Sequence, residues 1–369
     1  MKGSVWAASL PPNGDQGTRE SAIFKAVQDG NYVLNFVPIY VTSGSVSAVF
    51  MVSSDVLKIG EPGDAIRVNC SHRLSQQIAD QLGCILPTAK LSDEIWRQAD
   101  LKLEPPTQCW FSSKACACTP CDGSMGQNRR MIDFDRIVTS KIASRPYVLV
   151  AGHHKDWISS SLLGTPTNLT IGEDHKSPAG CNYGFHNTHA AITNPAMGVN
   201  KPSQTIPGVQ TYQPAGVMHA YTHADYSQLL GLIKRLAFVC GPAAISGFGQ
   251  EATPIGLSCP LPSGGLGVSS FVDVYSLIAN GGDYTKVLSG EGQILLRHPA
   301  MGDPPPLRQS DSCHSLVPGA CDWPPPDGQQ VAPVADGMSQ AKALAWLTAG
   351  AIGGYLLVRS VPTLVKKLA

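Results

Sequence analysis

Apolar positions recur at helical spacing in several stretches of the chain. Over Ser71–Leu82, Leu74, Ile78 and Leu82 share one face, Ser71 stands at the start and Gly83 follows the end, which predicts a helix. Ser21–Gln28 predicts another, with Ile23, Phe24 and Val27 on one side. So does the stretch opened by Ser92, with Glu94 in its first turn and Ile95, Trp96 and Ala99 along its face. Arg130–Ile142 has the same period through Ile132, Ile137, Val138 and Ile142. Ser227–Cys240 reads as the best helix of its region, with Leu229, Leu230, Ile233, Leu236 and Ala237 as a stripe and Lys234 and Arg235 facing out. Phe271–Ala279 and Thr285–Leu288 also look helical.

Strand signals are fewer. Phe36–Val41 and Val46–Val52 are rich in β-branched and aromatic residues around Ser43-Gly44-Ser45, which predicts a hairpin. Asp55–Ile59 and Ala65–Val68 add two strands turned at Glu61-Pro62-Gly63-Asp64. Tyr147–Val150 is a short buried strand that delivers Gly152-His153 at its end, and Ile294–Leu296 a final one. Residues 159–182, 187–208 and 241–269 read as loops by their Gly, Pro, Asn and Ser content. The predicted fold class is α+β: a mixed or antiparallel sheet with packed helices, long Gly/Pro-rich loops and a C-terminal apolar helix.

The same pattern divides the chain. Residues 1–19 read as a flexible arm, 20–302 as the globular domain and 303–336 as a linker carrying Pro304-Pro305-Pro306 and Pro324-Pro325-Pro326, triplets that form stiff spacers. Residues 337–369 are an apolar tail. Ala343–Val358 carries no charge and falls slightly short of the ~20 residues that span a bilayer. Counting through Arg359, which can snorkel, the length becomes adequate. Gly350 and Gly354 form a close-packing face, and Trp346 and Tyr355 suit the interface. Residues 343–365 are therefore read as a membrane anchor, against the alternative of a helix buried in another subunit. No secretory signal opens the chain.

Composition narrows the partners. Lys+Arg and Asp+Glu each number 27 in 369 residues, so no basic field is present to hold nucleic acid. Eleven cysteines are many for a reduced compartment. Cys116, Cys118 and Cys121, with Cys109 nearby, lack the paired spacing of zinc ribbons, so disulfides are preferred to a structural metal. Cys313 and Cys321 would make a natural local bridge.

Candidate chemistry concentrates in one region. Of ten histidines, those at 153, 154, 186, 189, 219 and 223 lie interleaved with Asp, Lys and Ser. Imidazoles beside carboxylates and hydroxyls are the material of acid–base and nucleophilic chemistry, although single histidines often only cap loops. The words in which these residues sit resemble a family of uncharacterised bacterial proteins with GHKKD, YGWH and QP–H–DYSHG motifs. Here they are Ile78–Lys90, Leu149–Asp156, Tyr183–His186, Gln213–Ser227 and Leu288–Gly292, in the family's order over about residues 20–300. The resemblance implies His153, Lys155, Asp156, His186, His219, Asp225 and Ser227 as site residues. This chain departs from it at Gln228 and Leu229, where the family has histidine and glycine, which puts any mechanism needing that imidazole in doubt.

Three functions are compatible with this pattern. The first is a hydrolase of amide or ester bonds, those of the cell wall being natural for a protein stalked off a membrane. Ser227 would be its nucleophile at the start of the 227–240 helix, where free backbone N–H groups favour an oxyanion. His186 or His153 would be base, and Asp225 or Asp156 the orienter. The bland reading of Ser227 is an N-cap. The second is a zinc hydrolase with His153, His186 or His219 and Asp225 as ligands. The third is a non-enzymatic structural or adaptor protein of an envelope or phage virion. The partners expected are accordingly the membrane and peptidoglycan, or other envelope or virion proteins.

Overall fold

The structure is a computed structural model that describes residues 1–11, 14–105, 127–142, 148–167, 177–187, 201–202, 206–245 and 253–307. The stalk beyond Leu307, the apolar tail, and the cysteines at 109, 116, 118, 121, 313 and 321 lie outside the described residues. The fold is α+β.

Two sheets carry the architecture. One runs in the order β15 (Thr253–Pro260), β16 (Leu266–Asp273), β14 (Ile233–Gly241), β3 (Val46–Ser53), β2 (Phe36–Ser43), with β6 (Cys84–Ile85) also pairing β14. Its pairings are antiparallel. The other runs β11 (Lys201–Pro202), β12 (Gln210–Ala220), β10 (Ala179–Asn187), β9 (Lys155–Ile158), β13 (Gln228–Leu229), with β13 and β9 parallel. A third sheet joins β1 (Tyr32–Val33), β4 (Lys58–Glu61) and β5 (Asp64–Arg67), and β7 (Leu101–Lys102) pairs β8 (Val150–Ala151). The described helices are α1 (Gly3–Ser9), α2 (Gln16–Gln28), α3 (His72–Gln81), α4 (Ala89–Gln98), α5 (Gln127–Ile142), α6 (Val274–Asn280) and α7 (Gly282–Leu288).

The hairpin β2–β3 forms at the predicted turn, with Ser43 opposite Val46. Ser71 caps α3 by accepting from Leu74 N at 3.2 Å. The cap of α4 is Thr88, which accepts from Leu91 N at 3.1 Å, so the helix starts before Ser92. That shift places Ser92 and Asp93 inside the helix, both buried.

Five expectations are corrected. Ser227–Cys240 is not a helix: it holds β13 and then β14, a central strand between β16 and β3. Residues 1–19 are not a free arm. Helix α1 buries Trp6 and Ala7, and α2 opens at Gln16 with Asp15 accepting from Thr18 N at 2.8 Å. The 241–269 stretch contains β15 and the start of β16, an edge hairpin where Pro254 and Pro260 are tolerated. The helix expected from Phe271 starts only at Val274, where Asp273 caps it, and Ile294–Leu296 forms no strand.

Among the described residues, the outer strand β2 has one edge unpaired by any strand. There Tyr40 N donates to Gln98 Oε1 at 3.0 Å, and Gln98 Nε2 donates to Tyr40 O at 2.9 Å. One carboxamide thus stands in for a neighbouring strand. Pro38, two residues earlier on the same edge, has no N–H to leave open.

Candidate functional site

Strand β9 is the axis of the site. Lys155 faces Gly184 and Asp156 faces Tyr183 across β10, while Gln228 and Leu229 of β13 flank the same pair. Successive side chains in a strand point to opposite faces. Lys155 and Asp156 therefore belong to two different centres, and the residues of the sequence motifs divide between them.

On the Asp156 face, two buried carboxylates each gather a hydroxyl and an imidazole. Asp156 Oδ1 lies 2.8 Å from His154 Nε2, and Oδ2 accepts from Ser92 Oγ at 2.8 Å. Asp93 Oδ1 accepts from Tyr183 OH at 2.7 Å and meets His186 Nε2 at 2.7 Å. Burial alone would raise the Asp156 carboxyl, but the charges and hydrogen bonds of His154, the Ser92 hydroxyl and His186 hold it below the usual range.

Tyr183 and His186 are three apart on a strand, a spacing that ordinarily sends them to opposite faces. They meet at Asp93 because Phe185 has a positive φ of 54°, a strained conformation for a bulky residue. The kink turns Phe185 to the other side, where its ring lies 5.8 Å from Lys155 Nζ. Glycine is required beside it. At Gly184, with φ of +134°, a Cβ would lie 3.0 Å from the His154 carbonyl oxygen.

His153 is drawn into a separate ion network. Its Nε2 stands 3.3 Å from Asp55 Oδ1, at ion-pair range but off the line of a hydrogen bond. Asp55 is held by Arg67 through Nε at 3.2 Å and Nη2 at 2.5 Å, and Arg67 also reaches Asp135 at 2.8 Å. Complete burial, with the neighbouring His154 adding to it, pushes the His153 imidazole down to about 4. It is neutral at pH 7 and packed as a core residue.

On the Lys155 face, Asp225 is the centre. Its Oδ2 accepts from Lys155 Nζ at 2.6 Å, and Oδ1 accepts from Ser227 Oγ at 2.7 Å and Ser227 N at 2.8 Å. Its backbone is fixed by Gln228 Oε1, which accepts from Asp225 N at 2.8 Å, and by Asn69 Nδ2, which donates to its carbonyl at 2.8 Å. Burial would raise the Asp225 carboxyl, but the ammonium of Lys155 holds it far below the usual range.

Above it, His219 and His223 stack in parallel, with ring centroids 4.3 Å apart and planes 5° apart. One ligand atom from each of His219, His223 and Asp225 falls within 4.8 Å of the others, so this group could hold a metal ion. Both imidazoles are partly exposed. Burial, then the charges of His223 and Lys155, push His219 down to about 3, leaving the neutral form that a metal requires.

The structure thus brings together Lys155, Asp225, Ser227 and His219 from the predicted set, places Asp156 and His186 on the other face with His154, Ser92 and Asp93, and draws His153 to Asp55. Two mechanistic expectations change. Ser227 opens no helix, so the dipole-assisted oxyanion site at that place does not exist. The metal set drawn with His153 or His186 is replaced by one that includes His223. Asp55, Arg67 and Asp93 carried no signal in the sequence beyond their residue types, and Ser92 was legible only as a helix start. His223 is in register with His219 at four residues' distance and could have been paired with it.

Outside this region, Cys70, Cys84 and Cys181 are buried and free, and Cys240 is disulfide-bonded. A surface hollow of about 580 Å³ lined by Glu291, Lys286, Gln293 and Ile294 contains none of the residues above. Among the described residues no helix is long and apolar enough to cross a membrane. No family model matches this chain, and neither a curated protein nor a solved structure is similar to it.

Proposed function

We propose that the protein is a zinc-dependent hydrolase of amide or ester bonds, with His219, His223 and Asp225 as the metal ligands. The observation that carries this reading is the convergence of two partly exposed imidazoles, His219 among them in its neutral form, and one ionised carboxylate on a single spot. Two nitrogens and an oxygen suit zinc, and three protein ligands leave a fourth position for water. An ion bound there would supply a hydroxide near neutral pH and polarise the scissile carbonyl.

The surrounding residues fit supporting parts. Lys155 and Ser227 fix the rotamer of Asp225 from either side, as partners of ligating carboxylates do. Gln228 stands where the resembled family has histidine, and here its side chain holds the Asp225 backbone instead. Ser227 as nucleophile is the weaker alternative, because its hydroxyl is donated to a carboxylate rather than to an imidazole. Action on cell-wall bonds follows from the sequence of the stalk and tail: residues 343–365 would hold the domain at a membrane. A chain ending at Asp336 should then stay in solution without detergent, and its sedimentation with membranes would refute the anchor.

The decisive test is metal analysis of the purified protein after dialysis against zinc. About one zinc per chain is expected, with loss on His219→Ala or His223→Ala, and ester or amide turnover abolished by chelator and restored by zinc. Substoichiometric zinc in the unaltered chain overturns the reading and leaves the structural one, which the saturated carboxylates of the Asp156 face favour.

A further inference from the structure

Arg19, on α2, is completely buried. Its Nη1 donates to the neutral carboxamide oxygen of Asn128 at 3.2 Å, while Nε and Nη2 have no acceptor among the described residues. The adjacent carboxylate, Glu20, is committed elsewhere: its Oε1 accepts from Ser71 N at 2.6 Å and Gln16 Nε2 at 3.2 Å, and its Oε2 faces Arg73 at 3.9 Å. Glu20 and Asp15 act on Arg19 by charge at a distance and fill none of its donors. A guanidinium cannot shed its proton, and leaving its donors buried and unmet costs several kcal/mol.

Two other buried arginines of this chain show what those donors do when satisfied. Arg235 grips Asp273 through Nε at 3.0 Å and Nη2 at 2.7 Å. Arg67 grips Asp55 through the same two nitrogens at 3.2 and 2.5 Å. Nε and Nη2 form one edge of the guanidinium, a planar fork that matches the two oxygens of an oxyanion. In Arg19 this same edge is without an acceptor among the described residues, and Nη1 is already held by Asn128. The Asn128 carboxamide is itself oriented, because its Nδ2 donates to Pro11 O at 2.5 Å.

We propose that Arg19 anchors a binding site for a small oxyanion, a carboxylate of formate or acetate size, held by parallel bonds from Nε–H and Nη2–H. Complete burial selects a small ion over a large phosphate ester. Ser71, held by Glu20, adjoins Cys70, whose N–H donates to the Gln228 carbonyl at 3.2 Å.

The test is thermal unfolding of the full chain against formate, acetate and nitrate, with chloride at matched ionic strength as control. Formate or acetate at a hundred times its Kd should raise the midpoint by about 5 °C in a saturable manner, and chloride should not. Arg19→Met should lose this response. A crystal soaked in acetate should show a carboxylate on the Nε–Nη2 edge. The proposal is overturned by a non-saturable response that chloride reproduces, by an equal response in Arg19→Met, or by density for water alone. Should Arg19→Met fail to fold, the unaltered chain's anion series and the soaked crystal still decide.

Discussion

The two faces of strand β9 use the same chemical vocabulary to different ends. On the Asp156 face every carboxylate oxygen that receives a bond receives it from Ser92, His154, Tyr183 or His186, and the group is sunk beneath α4. On the Lys155 face, Asp225 is equally well bonded, but two imidazoles stand at its rim with partial access to solvent. A cluster of titratable side chains is therefore not a site in itself. What separates the two is that His219 and His223 could hold a metal ion with Asp225, whereas the imidazoles of the other face are bonded to its carboxylates.

That contrast can be broken most forcefully at Asp93. Removing it leaves Tyr183 OH and His186 without their shared acceptor in a dry interior, so Asp93→Ala should cost about 3–5 kcal/mol in denaturant unfolding. A loss under 1 kcal/mol would mean this face is not structural. Next comes Gly231, where an added Cβ would lie 2.7 Å from Asp156 Oδ1 and 3.7 Å from His154 Nε2. Gly231→Ala should destabilise by about 1–3 kcal/mol through overpacking, measured the same way, and leave zinc stoichiometry intact.

Acid sharpens the picture of the core behind the sheet. His72 is fully buried, and burial together with the charge of His298 pushes its imidazole down to about 3. The unfolded chain takes up this proton below about 6.5 and the folded chain does not. The stability it contributes is full above 6.5 and is lost as pH falls toward 3, by about 1.4 kcal/mol per unit. His72→Phe, which can keep an edge contact with Trp157, should flatten the midpoint-versus-pH curve between 6.5 and 4. An unchanged slope would place the acid sensitivity elsewhere. The smallest effect on stability belongs to the rim. His219→Ala should shift unfolding by less than about 1 kcal/mol while removing zinc, and a large destabilisation would make that face structural as well.

Part of this organisation was legible in the sequence because local signals and tertiary fate agree there. Ser71 and Leu74-x3-Ile78 specify α3 by a cap and a stripe, and Ser43-Gly44-Ser45 specifies a tight turn between two β-branched runs. Strand β14 was opaque for a physical reason. Its burial alternates from Ile233 to Val239, but the less buried positions include Leu236 and Phe238 and the buried ones include Arg235, so polarity does not follow the alternation and the apolar residues satisfy helical spacing by accident. Helix α1 was missed because it is short and held by a few packed side chains such as Trp6, whereas α2 was read from Ser21 and lost only its first turns. At the site, the histidine-rich words announced chemistry, but not which face each residue would take. The decisive step, Phe185 at positive φ, breaks the alternation on which any such inference depends. The pairing of Asp93 with His186 spans 93 positions and left no trace in spacing.

The Gln98 carboxamide that meets Tyr40 has a consequence beyond this molecule's own cohesion. An open outer strand is a template on which a second copy can grow. By occupying both the donor and the acceptor of Tyr40, one side chain takes that position out of the template.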